Sequence, residues 1–87
     1  MKYEIELTKP AKKAYLKLPE EIRKVIYNKL ITLAESPSAK NNNVTCLQGI
    51  KNCFRLRVGK WRVIYRLYNN SLTIEVIKIA HRREVYR

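Results

Sequence analysis

The first third of the chain alternates apolar and polar residues briefly and then changes to a helical period. Residues 3–7 read Tyr-Glu-Ile-Glu-Leu, and this alternation predicts a half-buried strand with its three apolar side chains facing a core. Over residues 10–18, apolar residues recur at i, i+3, i+4 and i+7, which is one face of a helix. Thr8 precedes this segment and can cap the helix, because its hydroxyl can accept an early helical N–H.

A second helical stripe follows Pro19 and predicts a longer helix that ends near Glu35. Its apolar positions are Ile22, Val25, Ile26, Leu30 and Leu33. The link between the two helices is short, so we expect an antiparallel helical hairpin. The apolar stripe needs a surface to pack against, and a sheet formed by the rest of the chain is the candidate.

The second half of the chain alternates again, over three stretches separated by turn residues. The predicted strands are residues 54–58, 61–68 and 71–80. Gly59-Lys60 and Asn69-Asn70 suit tight turns, so the three strands should form an antiparallel meander. One face points to the core and carries Phe54, Leu56, Val58, Trp61, Val63, Tyr65, Leu67, Leu72, Ile74 and Val76. The other face carries Arg55, Arg57 and Arg62, and we expect it to be exposed to solvent.

Together these elements predict a single α+β domain over residues 1–87. It should consist of an N-terminal strand and an antiparallel two-helix hairpin packed on a mostly antiparallel four-stranded sheet. Residues 36–45 are rich in Ser and Asn, which favours a loop within the domain over a boundary between domains.

The charge of the chain adds a functional expectation to this fold. Nineteen Lys and Arg residues stand against seven acidic residues, which gives a formal net charge of +12. Ten of the basic residues, but only two of the acidic ones, fall within residues 51–87. Such a basic balance indicates a polyanionic partner, either nucleic acid or an acidic protein.

Composition disfavours several other classes of protein. Residues 1–13 lack the apolar segment of a signal peptide, and no run of about 18 apolar residues exists, so we expect a cytoplasmic protein without a membrane span. Cys46 and Cys53 could form a disulfide, but nothing in the sequence indicates a secreted protein, in which disulfides are common. Together with His81 they are too few for a metal site, and we expect neither a metal nor a cofactor.

Four arginines can converge on the open sheet face. Three are the strand residues Arg55, Arg57 and Arg62, and the fourth is Arg82, just past the third predicted strand. Arginine makes planar, bidentate contacts with phosphate. A group of arginines can therefore hold successive phosphates or stabilise charge that builds up on one of them.

Two further side chains could complete such a site. Tyr86 offers a ring on which a base can stack and a hydroxyl for proton transfer. His81 is the single histidine, the residue type that exchanges protons near neutral pH. The competing interpretation is a solvated arginine face, in which Arg62 or Arg66 pairs with Glu75 across the sheet.

Other basic residues surround this group and could contact nucleic acid. They are Lys51, Lys60, Arg66, Lys78, Arg83 and Arg87. Three further lysines, Lys12, Lys13 and Lys17, lie off the apolar face of the first predicted helix. The sequence favours a solvated outer surface over a binding role for them.

Two motifs make the pattern specific. The stretch FRLRVGKWRVIYRL and the ending AHRREVYR, in this order of elements, resemble the RelE/ParE superfamily of bacterial and archaeal toxins. Residues 33–37, Leu-Ala-Glu-Ser-Pro, match an LESP-like element found before the loop in such proteins. The resemblance covers essentially the whole chain and implies a small toxin that is paired with an antitoxin.

The resemblance also implies an activity. RelE-type toxins enter the ribosomal A site and cut the mRNA codon there, by attack of a ribose 2′-hydroxyl on the adjacent phosphate. Their site residues are matched in this chain by Arg55, Arg57, Arg62, Arg82 and Tyr86. In the best-known RelE-type sites the first two positions are lysines. Arginine is a poor general base, so Arg55 and Arg57 fit charge stabilisation, and Tyr86 and His81 remain the candidates for proton transfer.

Implied partners follow from the same resemblance. They are an acidic RelB-like antitoxin, mRNA in the A site, ribosomal RNA, and operator DNA only through the antitoxin complex. ParE-type toxins share the fold but inhibit DNA gyrase without cutting RNA, and fold alone does not separate the two types. A third alternative is a catalytically inactive homologue that only binds RNA or the antitoxin.

Overall fold

A computed structural model describes residues 2–37 and 42–81 of the protein. The helices are α1 (Lys9–Lys17) and α2 (Glu20–Glu35), and the strands are β1 (Glu4–Leu7), β2 (Val44–Cys46), β3 (Cys53–Val58), β4 (Trp61–Tyr68) and β5 (Thr73–His81). Neither helix in these two segments is both long and apolar enough to cross a membrane.

Both helices begin where their first residues predict. The Thr8 hydroxyl accepts the backbone N–H of Ala11 at 3.3 Å and so caps α1, and Pro10 lies in the first turn, where no N–H donor is needed. Pro19 precedes α2, and the two glutamates Glu20 and Glu21 occupy its first turn, where the helix dipole favours negative charge. The predicted boundaries of both helices are confirmed to within one residue.

The strands form one five-stranded sheet in the order β1-β5-β4-β3-β2. β1 runs parallel to β5, and the other pairs are antiparallel, so the mostly antiparallel α+β class is confirmed. The predicted number of four strands was wrong. The fifth strand, β2, overlaps the end of the segment predicted as a loop and pairs with β3. Its three residues are too few to show an alternation.

One face of the sheet packs against both helices and forms the core. Its largest fully buried side chains are Tyr65, Ile26, Leu30, Leu56, Ile74, Val63 and Val76. Val25 was predicted in the apolar stripe of α2, but it is 45% exposed. It points roughly 100° around the helix axis from the mean direction of the buried stripe residues, so it misses the sheet.

An irregularity in β5 changes which of its residues face the core. Ile64 pairs with Lys78, but the next residue, Tyr65, pairs with Val76, so Ile77 is an extra residue in the ladder. After this bulge Lys78 lies on the open face, although Ile74 and Val76 face the helices. Leu72, predicted as an inward strand residue, precedes β5 in a turn with φ 49°.

Candidate nucleic-acid interface

The sheet face away from the helices gathers cations from β3, β4 and β5. We call this set the basic face; it consists of Arg55, Arg57, Arg62, Arg66 and Lys78. Arg57 is the direct cross-strand partner of Arg62, and Ile64 lies between Arg55 and Lys78. Like charges directly opposite one another on neighbouring strands destabilise a sheet, so this arrangement suits a surface that binds an anion.

Arg62 was predicted on a solvent-exposed face, and its burial corrects that prediction. The residue is only 8% exposed. Its Nη1 donates to the backbone carbonyl oxygens of Gly59 at 3.3 Å and of Trp61 at 3.1 Å. Gly59 forms the predicted turn with φ 60°, so the turn between β3 and β4 holds this guanidinium in place. Both hydrogen bonds are donated by Nη1, and neither uses Nε or Nη2 of the same guanidinium.

The other predicted cations differ in how far they reach solvent. Arg55 is half-buried, whereas Arg57 and Lys78 are exposed. Lys60 is exposed in the turn beside the Arg57–Arg62 pair, and Lys51 is exposed before the opposite end of β3. The basic face therefore combines the buried guanidinium of Arg62 with exposed cations such as Arg57 and Lys78.

Arg66 lies at the far end of the basic face. Its Nε donates to the sulfur of Cys53 at 3.4 Å. The hydrogen bond with Cys53, followed by one with Tyr68, raises the pKa of the Arg66 guanidinium, so this cation stays charged. Its cross-strand partner is Glu75, which accepts a hydrogen bond from the Tyr68 hydroxyl at 3.0 Å.

Acidic residues occupy the other half of the same sheet face. Glu4 and Glu6 point away from the core on β1, and Glu6 is the cross-strand partner of Glu75 on β5. We call Glu4, Glu6 and Glu75 the acidic strip. It borders the basic face on one side, so a polyanion is attracted to β3 and β4 and repelled from β1. Sequence reasoning missed this boundary because β1 and β5 are distant along the chain.

His81 lies on the opposite side of the sheet from the basic face. It is the cross-strand partner of Trp61, and the two rings meet edge to face with centroids 5.2 Å apart. Trp61 packs against the core, whereas the neighbouring Arg62 belongs to the basic face. Arg82, Arg83, Tyr86 and Arg87 lie outside the described residues. The structure thus brings together the predicted strand cations and leaves His81 on the other side.

The cysteines and carboxylates form no other recognisable site in the described segments. Cys46 pairs with Phe54 and so faces the helix side of the sheet, while Cys53 lies on the open side. Both thiols are free. Within residues 2–37 and 42–81, no three His, Cys, Asp or Glu side chains lie close enough to hold a metal ion.

Comparison with known sequences decides the family. The sequence profile described as the ParE toxin of the type II toxin–antitoxin system parDE matches residues 5–86. The chain belongs to the ParE toxin family. It is a member of the RelE/ParE superfamily, as the two sequence motifs predicted.

Named relatives of this ParE-family chain come from the RelE branch. It is 29% identical over 90 residues to the mRNA interferase toxin RelE of Escherichia coli strain K12, and the alignment covers 99% of this chain and 92% of the relative. A protein named mRNA interferase RelE from Shigella flexneri matches with the same identity and coverage.

Solved structures of RelE proteins share the fold of this ParE-family chain. A mutant of Escherichia coli toxin RelE in the free state superposes with a TM-score of 0.82 at 26% identity, covering 99% of this chain and 92% of that one. The RelE of an archaeal RelE–RelB complex from Pyrococcus horikoshii superposes with a TM-score of 0.81 at 26% identity, covering 94% and 97%.

Proposed function

We propose that this toxin is an mRNA endonuclease that acts on the codon in the ribosomal A site. The observation that carries the proposal is the basic face, on which Arg57 lies directly opposite the fixed guanidinium of Arg62. Two relatives that match nearly the whole chain are named mRNA interferases, and this supports RNA as the polyanion.

The chemistry requires negative charge to be stabilised on one phosphate. The ribose 2′-oxygen attacks the adjacent phosphorus and loses its proton, while the bond to the 5′-oxygen of the next nucleotide breaks. That oxygen takes up a proton, which leaves a cyclic phosphate and a free 5′-hydroxyl. Charge on the non-bridging oxygens increases in the transition state, and preorganised guanidinium donors stabilise such charge.

Three arginines of the basic face have a part in this scheme. Arg62 is held by Gly59 and Trp61 and supplies a donor in a fixed position. Arg55 and Arg57 hold the phosphates on either side, and neither acts as a base, because a guanidinium does not give up its proton in proteins. Arg82 adds a further cation after β5.

Proton transfer is assigned to Tyr86 first. Its hydroxyl can donate and accept a proton, and it belongs to the RelE-like ending of the chain. His81 is the second candidate, because its ring packs against Trp61 on the helix side of the sheet and would have to act around the end of β5. The reaction as written uses no metal and no cofactor.

The proposed regulatory partner is an acidic, RelB-like antitoxin in the cytoplasm. The net charge of +12 favours an acidic partner, and the Pyrococcus horikoshii structure that shares this fold is a RelE–RelB complex. Binding to operator DNA would occur through the antitoxin complex. If a small acidic protein is encoded in the adjacent gene, mixing it with the toxin and measuring co-purification at moderate salt tests this partnership.

Primer extension on translated mRNA tests the nuclease proposal. Inducing the toxin should produce cuts within codons, and Arg57→Gln should reduce them at least tenfold by removing an exposed phosphate contact. Lys29→Gln on α2 is the matched control, since it removes one exposed positive charge far along the chain from the basic face. Equal cutting by both variants would exclude the basic face as the site.

A ParE-type gyrase inhibitor is the second candidate, because the profile that matches residues 5–86 describes ParE toxins. Under this alternative, induction produces gyrase-dependent DNA cleavage while mRNA stays intact. Cut mRNA with normal supercoiling would exclude it. Normal growth on expression without antitoxin would exclude both candidates and leave an inactive binding protein.

A further inference from the structure

The end of β4 places an exposed aromatic ring on the same sheet face as the arginines. Alternation along β4 puts Arg62, Arg66 and Tyr68 on the open face, whereas Leu67 packs against the core. Tyr68 is 39% exposed, and in the two segments that the structure describes it is the only large exposed apolar side chain on a strand. Since the ring lies outside the core, its exposed face is available to a ligand.

Hydrogen bonds at the hydroxyl end hold this ring in place. The Tyr68 hydroxyl donates to Oε1 of Glu75 at 3.0 Å, and its oxygen accepts from the Arg66 guanidinium. Arg66 in turn donates from Nε to the sulfur of Cys53 at 3.4 Å. The network spans three strands, because Arg66 is the cross-strand partner of both Cys53 and Glu75. A ring that is already fixed loses little conformational freedom when a ligand stacks on it.

The two sides of the ring differ in charge. On the β5 side lies the carboxylate of Glu75, which repels phosphate. On the β3 side, the backbone N–H of Leu67 donates to the carbonyl oxygen of Asn52, so the loop that carries the exposed Lys51 lies beside this end of β4. A nucleotide on the ring is therefore oriented with its phosphate towards Lys51 and its base towards Glu75.

The carboxylate of Glu75 can distinguish one base from another. An ionised carboxylate only accepts hydrogen bonds, and its two oxygens offer about four lone-pair sites. The hydrogen bond from Tyr68 uses Oε1, so Oε2 can accept from a ligand. Cytosine presents an amino donor at N4, whereas uracil presents a carbonyl oxygen at the same position, which a carboxylate repels.

We propose that Tyr68 and Glu75 form a base-recognition subsite for single-stranded RNA, in which the ring stacks on a base and the carboxylate favours cytosine over uracil. The subsite lies about 20 Å from Arg62, because six residues of β4 separate the two positions. The inference rests on the proposed function in taking RNA as the ligand. It adds a sequence preference that the arginines do not supply, since phosphate contacts do not read bases.

Binding of a labelled cytidine hexamer tests the stacking. Tyr68→Ala should weaken affinity about tenfold, as expected for the loss of one base–aromatic stack, and should leave the salt dependence unchanged because no charge is removed. Tyr68→Phe keeps the ring and should lose less than about threefold. Tyr27→Ala on α2 is the matched control, because it removes another exposed tyrosine ring, and it should bind as wild type does.

Comparison of cytidine and uridine hexamers tests the carboxylate. Wild type should bind the cytidine hexamer at least about fivefold more tightly. Glu75→Gln keeps the side-chain shape but offers uracil an amide donor, so the preference should fall below about twofold. Glu6→Gln is the matched control, because Glu6 is the cross-strand partner of Glu75 on β1. It should raise affinity for both hexamers alike and leave their ratio unchanged.

Equal losses for Tyr68→Ala and Tyr27→Ala, both shown to be folded by circular dichroism, would overturn the subsite. An unchanged preference in Glu75→Gln, or failure of wild type to bind either hexamer, would also overturn it. If Tyr68→Ala does not fold, the hexamer preference of Glu75→Gln decides, because that substitution keeps the side-chain shape.

The subsite and the proposed nuclease can fail separately, because hexamer binding requires no cleavage. If the wild-type toxin cuts no mRNA but the variants bind as expected, the nuclease fails while the subsite stands. If Tyr68→Ala and Glu75→Gln both cut mRNA with wild-type efficiency and sequence preference, the subsite is excluded while the nuclease stands.

Discussion

Arg62 shows how one residue can combine structural and functional demands. Strand alternation places it on the side of Arg57, but the β3–β4 turn buries it by presenting two carbonyl oxygens to its guanidinium. A buried cation that is hydrogen-bonded to backbone carries its charge in a fixed direction. Arg57 has the same side chain and lies opposite, but it is exposed. Substitutions at these two arginines can therefore distinguish the effect of a fixed guanidinium from the effect of positive charge alone.

Replacing Arg62 by lysine keeps the charge but removes the planar guanidinium, whose Nη1 donates to both Gly59 and Trp61. We expect Arg62→Lys to reduce RNA cleavage at least tenfold and to lower the free energy of unfolding by about 1–2 kcal/mol. Arg57→Lys is the matched control and should reduce cleavage less, with no change in stability. Cleavage assays and urea unfolding measure both effects. Wild-type cleavage by Arg62→Lys would show that a fixed guanidinium is not required.

Burial of Tyr65 should make the protein less stable at strongly alkaline pH. Burial raises the pKa of its hydroxyl to about 12 from an ordinary value of 10.0. The folded state therefore holds this proton more tightly than the unfolded state. The resulting stability is fully present below pH 10 and should fall by about 2 kcal/mol as the pH rises through 12. Urea unfolding midpoints of wild type and Tyr65→Phe at pH 9 and near 12 measure this, and an identical pH dependence would contradict it.

At the scale of elements, the bulge in β5 decides which side chains lie on the basic face. Because Ile77 is inserted between the paired residues, Lys78 lies beside Ile64 on the open side and His81 lies beside Trp61 on the helix side. A regular strand that kept Ile74 and Val76 inward would have turned Lys78 towards the core. The bulge thus adds a cation to the basic face and removes the histidine from it.

The bulge leads to opposite expectations for two basic residues near the end of β5. Lys78→Gln should weaken binding to single-stranded RNA several-fold at low salt, because it removes a cation from the basic face. His81→Asn should leave that affinity unchanged, since the imidazole packs on Trp61. Fluorescence anisotropy with a short labelled RNA measures both affinities. A larger loss for His81→Asn than for Lys78→Gln would show that the RNA passes around the end of the strand.

At the scale of the whole molecule, pairing of β1 with β5 divides the open sheet face by charge. Under the proposed function, the acidic strip would confine a bound RNA strand to the side of β3 and β4, because its carboxylates repel phosphates. This division is compatible with a net charge of +12, because most acidic residues lie away from the basic face.

Neutralising the two β1 residues of the acidic strip should therefore strengthen the proposed RNA binding. Glu4→Gln/Glu6→Gln should raise affinity for single-stranded RNA several-fold at low salt, with the gain disappearing at high salt as the charges are screened. Glu20→Gln/Glu21→Gln on α2 changes the net charge equally and should have a smaller effect. If both double variants tighten binding equally, net charge alone is responsible.

Much of the site could be predicted because the relevant signals are local. Alternation over a few residues correctly separates Arg55 and Arg57 from Leu56 and Val58, and Gly59 marks the turn that joins β3 to β4. Burial of Arg62 and the change of side at Ile77 could not be predicted. The first depends on how the β3–β4 turn directs the Gly59 and Trp61 carbonyl oxygens, and the second on the register between β4 and β5. A period of two residues carries no information about either.

The sequence by itself determined the two helices, the three central strands, the excess of positive charge and the toxin superfamily, because periodicity, capping and motifs act over short stretches of chain. Tertiary structure alone decided that β1 runs beside β5, that Val44–Cys46 extends the sheet as β2, and that one sheet face is half basic and half acidic. These features arise when segments far apart in sequence pair, and pairing is selected by burial of the shared core rather than by any local pattern.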